Sequence, residues 1–494
     1  MGPDFLLAAG VGAVLFLLAL TAGPVIGVGL LFAAAGVAII FAWPILGLAA
    51  MVLSGTALQV LGSEHLTGLP ISLGKAAGIL TLAAWATRSV VFGIRLTYSS
   101  QLLPLLGFAA AMAVSAAAAP DRALALDGLF RYAQLFLLFF MIGSIAGERQ
   151  RDLDLACLAV TACMAVASAI ALAEFLLPSL SIESDDPSLM KGAIGAIIDH
   201  ESLDGVAIRR ITGGLSDSNW YAYTVVSFMP LNLYLLHRFR GAATRGLLVG
   251  ATALQAVGVV LSLTRSALIA MVFGAIVLLA RRRLPLAPML GMVGIGAVAF
   301  VLWNPPELQR LFSAEYAQAG STPLRELMLS GGVALIRERP MLGYGYSEYG
   351  PAFMKWLNTQ QPGEMIVGWA ADIQRRVDAD DEALENIMPH NTVVQLWVEY
   401  GLPGIGCFFL ILGGMLKDIG VARKFGTHGD ALLADCLLAG LWIFAVCAMF
   451  GHLALLKVVW IQGGLAAALR RVALERVPAS GAHLGGARIQ VPTT

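Results

Sequence analysis

Apolar runs with no polar stripe at the helical period recur along nearly the whole 494-residue chain. A helix on the surface of a soluble core carries polar residues along one face, and a helix surrounded by lipid and other spanning helices does not. Runs of about 18 or more such residues cross the ~30 Å hydrocarbon core of a bilayer. The pattern predicts an all-α, polytopic helical membrane protein with about 12–14 spanning helices. The expected spans are 4–21, 24–42, 44–60, 71–87, 101–119, 130–146, 155–177, 218–236, 246–262, 266–280, 286–302, 393–416, 431–449 and 454–469.

Between these runs the basic residues cluster at every second connection: Arg88 with Arg95, Arg149 with Arg151, Arg238 to Arg245, Arg281 to Arg283, Lys417 to Lys424, and Arg470 with Arg471. Short Lys/Arg-rich loops mark the cytoplasmic side, so both termini are expected there. The first apolar run follows Met-Gly-Pro-Asp, which has no basic region ahead of it, and further spans come at once; it reads as a retained helix rather than a leader.

Composition agrees with this reading. The chain is 58% hydrophobic and 13% charged, against roughly 25% charged residues in soluble domains. Its zero net charge gives no basic surface for nucleic acid. All five cysteines (Cys157, Cys163, Cys407, Cys436, Cys447) fall inside apolar runs, where they read as small packing residues and not as a disulfide or zinc framework.

Two polar segments break the pattern, and the alternation puts both outside. Residues 178–217 carry Asp185, Asp186, Asp199, His200, Glu201, Arg209 and Arg210. Residues 303–391 form a much longer, partly helical insertion, beyond the usual connection length. Within it, Thr322-Pro323 reads as an N-cap and first helical position, and Leu324, Leu327, Met328 and Leu335 share one face before Pro340 ends the helix. Such an amphipathic helix either lies on the membrane surface or closes over a cavity. The acidic run from Asp378 to Glu385 is expected to face water.

Candidate chemistry lies at the outer ends of helices. Arg210-Ile-Thr-Gly213-Gly-Leu-Ser-Asp217-Ser-Asn219 returns the loop to an apolar helix: the glycines permit a tight turn, Asp217 can cap, and Arg210 stands at the mouth or snorkels. Ser262-Leu-Thr264-Arg265-Ser266 sits in a tight hairpin between two apolar helices, where a charge needs a partner or a task. A guanidinium there suits a diphosphate, which it grips through paired hydrogen bonds, or a lipid headgroup. Met388-Pro-His390-Asn391 starts another helix; the histidine can serve as a base near neutral pH or be structural, and Asn391 can cap. No phosphate loop, nucleophile elbow, zinc-spaced cysteine pair or internal repeat is found, and Gly343-Tyr-Gly345 reads as a turn.

Taken in succession, these motifs resemble the bacterial O-antigen ligase and O-antigen (exopolysaccharide) polymerase family. The resemblance rests on Arg-x-x-Gly-x-x-x-Asp-x-Asn from Arg210 to Asn219, Thr264-Arg-Ser266, and Arg325 and Pro340-Met-Leu-Gly343-Tyr-Gly345 in the long outer loop. It ends with His390-Asn391 and Glu399-Tyr-Gly401-Leu-Pro-Gly404. It covers residues 205–465, with 303–391 as a periplasmic loop, between N-terminal helices at 1–204 and a cytoplasmic tail at 466–494. Ser218 stands where the family usually has proline, which loosens the helix-start turn and removes no chemical group.

The resemblance implies a bacterial inner-membrane glycosyltransferase of lipopolysaccharide or exopolysaccharide synthesis. Such an enzyme moves glycan from an undecaprenyl-diphosphate-linked donor to a hydroxyl on the periplasmic face, inverting and without a metal or other cofactor. The acceptor is lipid A core in a ligase and another glycan in a polymerase, and the sequence does not separate the two. By this resemblance Arg210 and Arg265 bind the donor diphosphate and His390 activates the acceptor. Arg325 adds a positive contact, Glu399 orients the histidine, and Asp217, Asn219 and Asn391 shape the substrate site. The rival reading is a transporter or flippase of a lipid-linked or anionic substrate, which would place ionisable residues at several depths.

Overall fold

A computed structural model describes residues 35–56, 73–91, 99–177, 211–215, 217–281, 321–359 and 387–476. Among them there is no β-strand. The helices are α1 (Ala35–Ala42), α2 (Pro44–Thr56), α3 (Leu73–Val91), α4 (Leu102–Ala118), α5 (Arg122–Ala146), α6 (Gln150–Leu176), α7 (Ser218–Phe228), α8 (Pro230–Arg238), α9 (Ala242–Leu261), α10 (Arg265–Ala280), α11 (Ser321–Glu338), α12 (Tyr349–Thr359), α13 (Thr392–Phe425), α14 (His428–Ala448) and α15 (Lys457–Glu475). Among the described residues five are long and apolar enough to cross a membrane (α5, α6, α9, α13 and α14), or six if the sharply bent pair α1–α2 is one span. The protein is an all-α polytopic membrane protein. The expected spans at 4–21 and 286–302, and the acidic run from Asp378 to Glu385, lie outside the described residues.

Where element ends differ from expectation, the cause is local. α5 starts at Arg122 rather than 130, because the Asp121 carboxylate accepts the N–H of Leu124 and caps the helix ahead of its apolar run. The span expected at 218–236 is two helices meeting at Pro230, which has no N–H to give the preceding turn. α13 runs on to Phe425, well past the apolar stretch, and Lys417 to Lys424 are helical.

In the main core α14 lies along α10, α15 along α5, and α13 along α4. Aromatic rings of Phe108, Tyr132, Tyr400 and Trp460 pack edge to face at its centre. At the basic end of the bundle, buried carboxylates are paired. Asp154 accepts from Arg238 at 2.6 Å and from Tyr234, and Asp430 from Arg476 at 2.6 Å. Asp418 lies 3.5 Å from Arg470, and Asp435 lies 3.2 Å from Arg423.

A second apolar cluster stands at the opposite end. Leu327, Met328 and Leu335 of α11 pack with Tyr349, Phe353 and Leu357 of α12 and with Val394 and Val398 of α13. The amphipathic helix expected at 322–339 therefore closes over the first half of α13.

That half ends in a break. Gly401 is left-handed (φ 67°), Pro403 follows, and the carbonyls of Val398 and Glu399 have no donor within the helix. The backbone N–H groups of Tyr344 and Gly345 supply them at 2.8 and 2.9 Å, while Leu402 N–H donates to Pro340 O at 2.8 Å. Gly343-Tyr-Gly345 is thus a turn, as its sequence suggests, with φ of 70° and 108° at the two glycines. Close approach needs glycine on both sides: a Cβ at Gly343 would stand 2.5 Å from Glu399 O, and one at Gly401 would stand 2.0 Å from Met341 O.

Candidate active site

The site is assembled at the end away from the paired carboxylates, from the starts of α7, α10, α11 and α13 and the connection between α14 and α15. Each start is fixed by a short-range device. Asp217 caps α7, accepting from Asn219 N and Trp220 N at 2.7 and 2.9 Å. Asn391 caps α13, accepting from Val393 N and Val394 N at 3.0 and 3.1 Å. Both caps were legible as residue types in the sequence.

Arg265 opens α10 between two clamps to α7. Thr264 Oγ1 donates to Asn219 Oδ1 at 3.3 Å, and Ser266 Oγ and Tyr223 Oη lie 2.6 Å apart. Leu263, just before this segment, has the left-handed φ of 55°. Bonds on both sides thus hold the Thr-Arg-Ser segment in one register on α7, leaving the guanidinium, half-buried, at the outer end.

His390 is a second non-glycine residue in left-handed conformation, with φ 48°. Such backbone is uncommon outside glycine and concentrates where surrounding bonds hold it. The bonds here run to the α14–α15 connection: Asn391 Nδ2 donates to Met449 O at 3.2 Å and Thr392 Oγ1 to Gly451 O at 2.7 Å. Burial, then the neighbouring His452, then the Arg325 guanidinium push the proton affinity of His390 down, to a pKa of about 3. Its neutral form therefore prevails near neutral pH. Arg325 acts on Tyr223 as well, and its Nε is buried with no hydrogen-bond partner.

Arg265, Arg325, His390, Asn391, Asp217 and Asn219 thus share one end of the bundle. Arg210 lies outside the described residues, although the Ile211–Leu215 segment that follows it is described. Glu399 stands apart. Nine residues along α13 from His390 is about 13 Å, and its carboxylate takes a bond from Gln395 at 3.1 Å. It braces the helix break and does not touch the histidine.

Two residues escaped the sequence reading. Glu174, fully buried in α6, accepts from the backbone N–H groups of Thr212, Gly213 and Gly214 at 2.8, 3.1 and 3.3 Å. It holds the turn after Arg210 in a nest of amides. A lone acid in an apolar run was the available signal. The other is His452, whose ring centroid is 5.7 Å from that of His390. No motif in the sequence marks it.

No curated protein matches the chain. The family described as O-Antigen ligase matches residues 250–409, from α9 through the break in α13, a segment that includes Arg265, Arg325, His390 and the Gly343–Gly401 seam. The match makes this stretch, about a third of the chain, similar to that family.

Proposed function

We propose that the chain is a membrane glycosyltransferase that moves glycan from undecaprenyl diphosphate to a hydroxyl acceptor, with inversion and with arginines as the cations. The observation that carries this reading is the convergence of Arg265, Arg325 and a neutral His390 at one end, with a buried Arg325 Nε lacking a partner. Guanidinium groups fixed in a dry site stabilise the charge that develops on a departing diphosphate. By the resemblance, Arg210 is a further diphosphate-binding arginine. The imidazole accepts the proton of the acceptor hydroxyl, whose oxygen attacks the anomeric carbon from the face opposite the diphosphate. One bond forms as one breaks, so the configuration inverts.

The low proton affinity of His390 fits this scheme. A base so reluctant works poorly on its own. A bound diphosphate offsets the positive field of Arg325 and raises the imidazole toward its ordinary range. The base is then active when the donor is in place. The transporter reading has less support, because Asp154, Asp418, Asp430 and Asp435 are each paired with an arginine at the basic end. The active site is assigned to the periplasmic face and both termini to the cytoplasm.

The test is deletion of the gene in its host, with the wild-type chain, His390→Ala and Arg265→Ala returned on plasmids and their membrane levels matched. Long chains stranded on the lipid carrier identify a ligase, and single repeats identify a polymerase. Full rescue by both variants would remove the assignment of these residues and favour transport. Comparing the anomeric configuration of carrier-linked and transferred glycan tests inversion.

A further inference from the structure

We propose that His452 is the positioning residue of His390: its ring packs against the other imidazole and holds it in the orientation and neutral form from which it takes the acceptor proton. The inference rests on the reading of His390 as the base.

The geometry begins with the backbone. Residues on either side of His452 bond to the same hydroxyl, since Thr392 Oγ1 donates to Gly451 O at 2.7 Å and accepts from Leu453 N at 2.9 Å. Asn391 adds a bond to Met449 O at 3.2 Å. The connection that carries His452 is therefore stitched to the two residues that follow His390, and the two histidines keep a fixed relation. Behind, Gly451 sits so close to α7 that a Cβ there would stand 2.8 Å from the Tyr223 ring.

The ring of His452 is itself sandwiched. Its centroid lies 5.7 Å from that of His390 and 5.3 Å from that of Trp220, the latter edge-on at 71°. Its Nδ1 is buried and has no hydrogen-bond partner. A histidine kept only for packing gains nothing from an unspent ring nitrogen in a buried place, where an aromatic hydrocarbon ring would pack as well. The nitrogen has a use beside a second imidazole that must gain a proton during the reaction.

Three charged or titratable groups govern the pair. Arg325 of α11 and His452 each oppose protonation of His390, and Asp217 of α7 favours protonation of His452. Two imidazolium rings this close repel, so whenever one is charged the other stays neutral. In the step itself the acceptor hydroxyl gives its proton to His390, and its oxygen bonds to the anomeric carbon. The diphosphate leaves with the electron pair of the broken bond. His452 begins and ends unchanged.

The test uses full-length His452→Phe and His452→Gln in host membranes, with the host's own lipid-linked glycan as donor. Folded protein is quantified by size-exclusion profile. Phe keeps the packed ring without nitrogens, and Gln keeps a polar side chain. The expected result for both is a drop in kcat of about tenfold, smaller than the ~10²–10⁴-fold that loss of the base itself would cost. The acid limb of the kcat/KM profile should move to higher pH, because His390 then holds a proton more readily. A profile identical to wild type in whichever variant folds, with activity scaled only to folded protein, would overturn the proposal. If His390→Ala is fully active, the base reading fails first. If His390→Ala is inactive while the His452 variants keep the wild-type profile, only the role of His452 fails.

Discussion

Gly345 gives its backbone N–H to the carbonyl of Glu399 at 2.9 Å, and that carbonyl is the one Pro403 leaves without a donor. A bond between loop and helix thus replaces one that proline removed from the helix. The two glycine-rich motifs, far apart in the chain, are the two sides of one seam.

Substituting either side should be costly. Gly343→Ala and Gly401→Ala each place a methyl against a carbonyl oxygen and force an L-residue into a left-handed position. Each should lose about 2 kcal/mol or more of stability. The double variant should lose less than the sum, since both damage the same seam. Thermal unfolding of the detergent-solubilised protein reads this, and wild-type melting of either single variant would contradict it.

Glu174 should be as sensitive as a residue of the site. Its carboxylate serves three backbone N–H groups and Thr212 Oγ1. Glu174→Gln keeps one acceptor and loses the charge; Glu174→Ala leaves the nest empty. Charge-assisted bonds contribute about 1.5–3 kcal/mol each before relaxation, so Ala should destabilise more than Gln. Amide hydrogen exchange at 212–214 should quicken in the same order. Unchanged exchange in the Ala variant would mean that the turn holds without the acid.

Around Arg265 the clamps can be loosened singly. Tyr223→Phe removes the bond to Ser266, and Asn219→Ala removes the one from Thr264 to α7. Each bond is worth about 1 kcal/mol, so the fold should survive while glycan transfer falls several-fold. A loss of activity that merely follows protein abundance would count against a seating role for these bonds.

Acid should weaken the protein through His390. Its pKa is held at about 3 in the folded chain, below the ordinary value near 6.5 of an unfolded one. The unfolded state therefore binds the extra proton first. The stability contributed by the neutral ring is complete above about 6.5 and is lost as pH falls from there toward 3. In melting curves taken at decreasing pH, His390→Asn should lose less stability over this window than wild type. Parallel curves would show that other groups govern acid sensitivity.

Much of this was legible because it is local. Apolar runs gave the helices, and Asp217 and Asn391 announced their caps because a cap acts on amides two and three residues away. The face of α11 followed from the spacing of Leu327, Met328 and Leu335. What stayed hidden depends on distant partners. Nothing near Glu174 points to Thr212, and nothing near His452 points to His390. Glu399 looked like a partner of the histidine because both belong to one motif, yet the helical rise carries it to the seam instead.

The seam also bears on how the outer helices can move. Lifting the 340–345 segment off α13 would leave the carbonyl of Val398 bare, leave that of Glu399 with only Ser115 Oγ at 2.8 Å, and take Pro340 from both Leu402 N–H and Trp397 Nε1. At about 1–3 kcal/mol for each unsatisfied buried group, the lifted state would be a small minority of the molecules. The seam is therefore an anchor point for the outer helices. Any movement of the outer helices would pivot about it, at the far ends of α11 and α12, while the stretch from Pro340 to Gly345 stays moored to α13.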